Sequence, residues 1–94
     1  MKTRITKSSG NVFVDLGFPP DEVAVLTLRA ELMVALRKLI EAKGWTQAQA
    51  GEELGVTQSR VSDLMRGKHD KFSLDMLVTL AARGGRTVKL RLAA

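Results

Sequence analysis

The chain of 94 residues has no cysteine, so it can form neither a disulfide framework nor a thiolate metal site. Its single histidine, His69, leaves almost no material for a zinc site or a Ser/His catalytic arrangement, and its setting among Gly67, Lys68, Asp70 and Lys71 reads as a surface loop. Tyrosine is absent, and aromatics make up only 4% of a sequence that is 45% hydrophobic; this points to an aliphatic helical core and not to a pocket lined with rings. No apolar run approaches the roughly 20 residues needed to cross a bilayer. Met1 to Gly10 is polar and lacks the apolar centre of a signal peptide, so a cytoplasmic location is expected. No activated nucleophile, metal cluster or phosphate-cradling glycine loop is in evidence: Gly84-Gly85 reads as a helix stop, and neither catalysis nor a cofactor is expected.

What is present concentrates between Trp45 and Lys71, WTQAQAGEELGVTQSRVSDLMRGKHDK. Thr46 is placed to cap a helix over Gln47 to Leu54, Gln49 to close a capping box, and Trp45 to form the outer half of a hydrophobic staple. Gly55 stops that helix, Val56 follows as an apolar plug, and Thr57 caps a second helix that runs to about Arg66 before Gly67. Helices this short need tertiary support, so they must lean on each other. Gly51 falls where the first must approach the second closely, which accounts for a glycine inside a helix at a cost of about 1 kcal/mol in propensity. At about 100° per residue, Val61, Leu64, Met65 and Thr57 share the inner face of the second helix, while Ser59, Ser62, Asp63 and Arg66 point outward with Gln58 and Arg60 at the edges of that arc. Glutamine can pair with adenine, arginine with guanine, and serine with either base, so this face suits a DNA major groove. Asp63 puts an anion there, able to accept from cytosine or to repel phosphate.

The spacing of Gln47, Gly51, Gly55, Val61 and Leu64 resembles that of the Cro/cI-like (XRE) helix-turn-helix regulators. SSGNVFVDLGF, KGWTQAQAGEELGVTQSRVSDLMRGK and FSLDMLVTLAARGGRTVKLRL extend the resemblance from Lys7 onward to a subgroup of about this length, many of them HigA-type antitoxins encoded beside a RelE-like ribonuclease toxin. The resemblance implies an all-α fold, a compact helical bundle of the lambda-repressor-like DNA-binding type. It implies that Gln47 touches a phosphate and braces a base-reading side chain, and that Gln58, Ser59 and Ser62 approach base edges. Arg60 would reach a phosphate or flanking base, while Arg66 and Lys68 would hold the sugar-phosphate backbone. Thr46 and Thr57 at the helix starts and Asp63 on the reading face complete the candidate DNA-binding set. Ala50 departs from the family pattern, where a larger apolar residue is common, so the packing there is expected to be looser or filled by Trp45.

The formal charge of +5 and pI near 10.1 agree with a polyanionic partner. Residues 46–72, however, carry Arg60, Arg66, Lys68 and Lys71 against Glu52, Glu53, Asp63 and Asp70, a net of zero, so a basic DNA-facing surface must come from how the chain folds. Residues 73–94 carry Arg83, Arg86, Lys89 and Arg91 against Asp75, a net of +3.

Residues 1–10 read as a flexible segment and 11–94 as one domain. NVFVDLGF is expected to pack on the bundle, and Pro19-Pro20 to start a helix at about Asp21 that ends at Lys43 before Gly44. Leu32, Ala35, Leu36, Leu39 and Ile40 form its core stripe, whereas Val23 to Leu28 are apolar nearly all round and call for neighbours on more than one side. A last helix, capped by Ser73 and stapled by Phe72 and Leu77, should turn Leu74, Leu77, Val78 and Ala81 inward. Strict alternation from Thr87 to Leu92 then predicts a β-strand over residues 86–92 with Val88, Leu90 and Leu92 on one face, available to pair with its twin across a two-fold axis. The expected protein is thus a homodimeric repressor acting on a palindromic operator of double-stranded DNA at the nucleoid, and an antitoxin controlling its own operon. The competing readings are a module that mainly sequesters a RelE-like toxin and a regulator with no toxin.

Overall fold

The computed structural model describes residues 11–93 and contains α1 (Val12–Asp15), α2 (Pro20–Lys43), α3 (Gln47–Leu54), α4 (Gln58–Met65) and α5 (Leu74–Arg83), with one 3-10 turn at His69–Lys71. Local chemistry sets each boundary. Pro20 opens α2 with Asp21 and Glu22 in its first turn, and Gly44 closes it in the left-handed conformation at φ 68°. Thr46 and Gln49 form the full capping box of α3: the Gln49 amide donates to Thr46 Oγ1 at 3.1 Å and the Thr46 amide to Gln49 Oε1 at 2.8 Å. Thr57 Oγ1 accepts from the Arg60 amide at 3.1 Å to start α4, and Ser73 Oγ accepts from the Met76 amide at 3.1 Å to start α5.

One core joins the helices. Met33, Leu36, Leu39 and Ile40 of α2 meet Leu77, Leu80 and Ala81 of α5, and Ala50, Leu54, Val61 and Leu64 of α3 and α4 close against them with Phe72. Ala50 is fully buried, and Trp45 packs partly against the same cluster. From α5, Arg83 Nη1 donates to the Leu54 carbonyl at 3.0 Å, satisfying an acceptor that the end of α3 leaves open.

Three expectations are corrected. The inward stripe of α5 is Leu77, Leu80 and Ala81; Val78 is exposed and Leu74 half-buried, because the helix lies rotated toward Leu80 relative to the phase assumed from its first turn. In α2, Met33 is buried and Ala35 exposed, a similar rotation. The strand over residues 86–92 is not formed: residues 86–93 carry no regular secondary structure, since a strand needs a ladder partner and no other described segment supplies one. Val88 nonetheless packs against the core while Leu90 and Leu92 stand in solvent. NVFVDLGF forms the short α1, with Asn11 Oδ1 accepting from the Phe13 amide at 2.9 Å and Asn11 Nδ2 donating to Thr27 Oγ1 at 2.7 Å. It packs on α2, but only Phe13 turns inward; Val12, Val14 and Leu16 are exposed. The expected flexible segment 1–10 lies outside the described residues.

The crossing of α3 and α4 is as close as the sequence demands. A Cβ on Gly51 would lie 2.8 Å from the Val56 carbonyl oxygen, a backbone atom of the turn itself. Gly51→Ala would gain about 1 kcal/mol in helix propensity, yet forcing the turn open costs about 1–3 kcal/mol. A lowered urea midpoint with an unchanged slope is expected; a raised midpoint would show that the crossing opens freely.

Candidate nucleic-acid interface

The interface is built on the exposed side of α4 and the turns at its two ends. Gln58 and Ser59 are exposed on its first turn, Ser62 is half-exposed one turn later, and Arg66 is exposed just beyond its end. None of the side chains of Gln58, Ser59 and Ser62 bonds to another described residue, so their donors and acceptors face outward unspent. Gln47, the first residue of α3, is exposed as well, close to the capping box. Thr46 and Thr57 are engaged as cap acceptors through Oγ1, but each hydroxyl hydrogen remains available to a further acceptor.

Two side chains sit differently from what their positions on the helix suggest. The Arg60 guanidinium lies over the ring of Phe72, 4.8 Å from its centroid, and is half-buried there. Its orientation is thereby set by a core residue through cation–π attraction, which fixes where the planar fork can point. Asp63 does not stand alone on the reading face: Lys68 Nζ lies 3.8 Å from its Oδ1, and the Lys68 amide donates to the Asp63 carbonyl at 3.0 Å. With both side chains partly solvated the pair is worth about 0–1 kcal/mol, so Lys68 can leave Asp63 for another anion at little cost.

After α4 the chain turns at Gly67, whose φ of 72° is the left-handed conformation. Two arginines of α2 reach the turn from outside the α3–α4 unit. Arg37 of α2 places Nη1 3.5 Å from where a Gly67 Cβ would be, and Arg29 Nη1 donates weakly to the His69 carbonyl at 3.4 Å. The His69 ring is exposed and meets Phe13 of α1 edge-on, with centroids 5.9 Å apart. Arg29 and Arg37 were not among the residues singled out from the sequence, and Phe72 was expected only as half of the staple before α5. Arg29 and Arg37 lie within about 80° of each other around α2, but their facing the end of α4 depends on how α2 crosses it.

Two polar surfaces of different character result. The face of α4 offers the short, neutral groups of Gln58, Ser59 and Ser62 beside the Asp63–Lys68 pair, and the turn that follows carries Arg66, Lys68 and Lys71 with one acid, Asp70, and is reached by Arg37 and Arg29 of α2. Neutral readers beside a cationic rim suit the base edges and phosphates of a duplex. Among the described residues no helix is long and apolar enough to cross a membrane.

No curated protein matches the chain significantly. A family model described as a helix-turn-helix domain does, over residues 12–93. The match reaches beyond α3 and α4, from the start of α1 through α5 into the tail, and with it the chain belongs to this helix-turn-helix family, whose architecture is that of a DNA-binding regulator.

Proposed function

We propose that the protein is a dimeric, sequence-specific transcriptional repressor that reads the major groove with α4, and that it serves as an antitoxin repressing its own operon. The observation that carries the DNA reading is the outward-facing, unpartnered row of Gln58, Ser59 and Ser62 on a helix capped by Thr57 and held to the core by Val61 and Leu64. In this reading Gln47 meets a phosphate, Arg60 a phosphate or flanking base in the direction set by Phe72, and Arg66 and Lys68 the sugar-phosphate backbone. Asp63 holds Lys68 until DNA is present. The antitoxin role rests on the resemblance of three segments to HigA-type proteins. A RelE-like toxin would be the second partner, and sequestration of it with weak DNA binding is the alternative.

The dimer is supported by an uncovered apolar surface. Leu28, Leu32, Ala35, Leu74 and Val78 line a groove between α2 and α5, bordered by Val88 and Leu90 of the tail. Glu31 and Asp75 line it together with Lys89, and in the tail Lys89 and Arg91 alternate with Val88, Leu90 and Leu92, so the tail of a second copy offers both apolar side chains for the groove and cations for its two carboxylates. Two α4 helices would then address half-sites about one helical turn apart on a palindrome.

The direct test is a gel-shift titration against the DNA upstream of the protein's own gene, with random competitor at near-physiological salt. A shift that survives competition supports the repressor; its absence favours the sequestering role. Gln58→Ala should weaken the specific complex by about 1–3 kcal/mol and leave random DNA unaffected; equal loss on both would remove Gln58 from the readers. Leu90 and Leu92 are 84% and 101% exposed, so replacing both with Asp should spare the fold and, by sedimentation, yield monomers. A persistent dimer would place the interface elsewhere.

A further inference from the structure

We infer that Arg37, on α2 and outside the helix-turn-helix unit, is a DNA-phosphate contact that completes the cationic rim after α4. The inference rests on the DNA-binding reading above and adds a residue to it. Its starting point is a deficit: residues 46–72 have no net charge, and one of their cations, Lys68, is already paired with Asp63. A surface that accepts a polyanion must borrow charge from elsewhere, and the fold brings Arg37 to the Gly67 turn.

The turn cannot supply the contact with its backbone. The Gly67 amide donates to the Leu64 carbonyl at 3.1 Å, the Lys68 amide to Asp63 at 3.0 Å and the His69 amide to Gly67 at 2.9 Å. With these three amides committed, an anion lying against the turn has to be met by side chains. Arg37 is half-buried there, yet its guanidinium makes no hydrogen bond or ion pair with any described residue. Arg29, by contrast, is engaged with the His69 carbonyl. A half-buried arginine with its donors unspent is suited to a phosphate, which its planar fork can grip with two N–H groups. The position agrees: a duplex seated on the exposed face of α4 runs a sugar-phosphate strand past the end of that helix.

A positive group beside the C-terminal end of α4 also favours the helix dipole, whether or not DNA is bound. The salt dependence of binding separates the two roles, because only a phosphate contact releases counterions. Binding of a mixed-sequence duplex would be followed by fluorescence anisotropy between about 50 and 200 mM salt for wild type, Arg37→Gln and Arg37→Lys. The expected result is a slope of log affinity against log salt that is lower by about one for Arg37→Gln and kept by Arg37→Lys. An unchanged slope in folded Arg37→Gln overturns the inference and leaves the DNA reading intact, whereas a wild type with no salt-dependent duplex binding overturns that reading itself. Should Arg37→Gln fail to fold, the Arg37 Nε–H resonance of the wild type, identified by its loss in Arg37→Lys, decides the matter. Its displacement on adding duplex and return on adding salt support the contact, and a resonance that does not move refutes it.

Discussion

Between α3 and α4 there is room for a hydrogen atom and no more, since the Val56 carbonyl oxygen lies 2.8 Å from the place a Gly51 Cβ would occupy. Much else depends on that closeness. Each helix has eight residues, too few to persist alone, and their contact at Gly51 lets Ala50, Leu54, Val61 and Leu64 enter one core with α2 and α5. Arg83 ties the end of α3 to α5 through the Leu54 carbonyl, so the pair is held as a unit at its base as well as at its crossing. The exposed side of α4 is consequently carried on a frame fixed at both places, as the proposed reading of base edges within hydrogen-bond tolerance would require.

How far this was legible in the sequence depends on the range of the interactions involved. Caps and stops act over three or four residues, so Thr46 with Gln49, Gly55, Thr57 and Ser73 announce their helices almost to the residue. The rotation of α5 is set by α2 packed across it, and a pattern with Leu74, Leu77, Val78, Leu80 and Ala81 allows more than one inward face. The tail shows a different limit. Alternating residues 87–92 have the pattern of a strand, but pattern sets which side chains share a face and cannot provide the neighbour whose backbone completes a ladder.

The candidate site divides along the same line. That Gln58, Ser59 and Ser62 face outward follows from helical spacing around Val61 and Leu64. Long side chains are another matter, because their ends travel far from their Cα atoms. Arg60 bends to Phe72, Lys68 reaches back to Asp63, and Arg37 crosses from another helix to the Gly67 turn. Electrostatic character is thus assembled by tertiary structure from segments whose individual charges would not suggest it: a neutral motif acquires a cationic edge from α2.

The ring beneath Arg60 has two allegiances. Phe72 is 3% exposed, and it belongs to the same hydrophobic cluster as Leu64 and Leu77. Its edges are fixed by aliphatic packing, while one face serves as the seat of a guanidinium from α4. Interiors packed to crystalline density transmit small displacements instead of absorbing them. Inherited changes in aliphatic residues deep inside the domain are therefore not silent at the surface: they reach the direction of Arg60 through the tilt of one ring, without altering any residue that faces solvent.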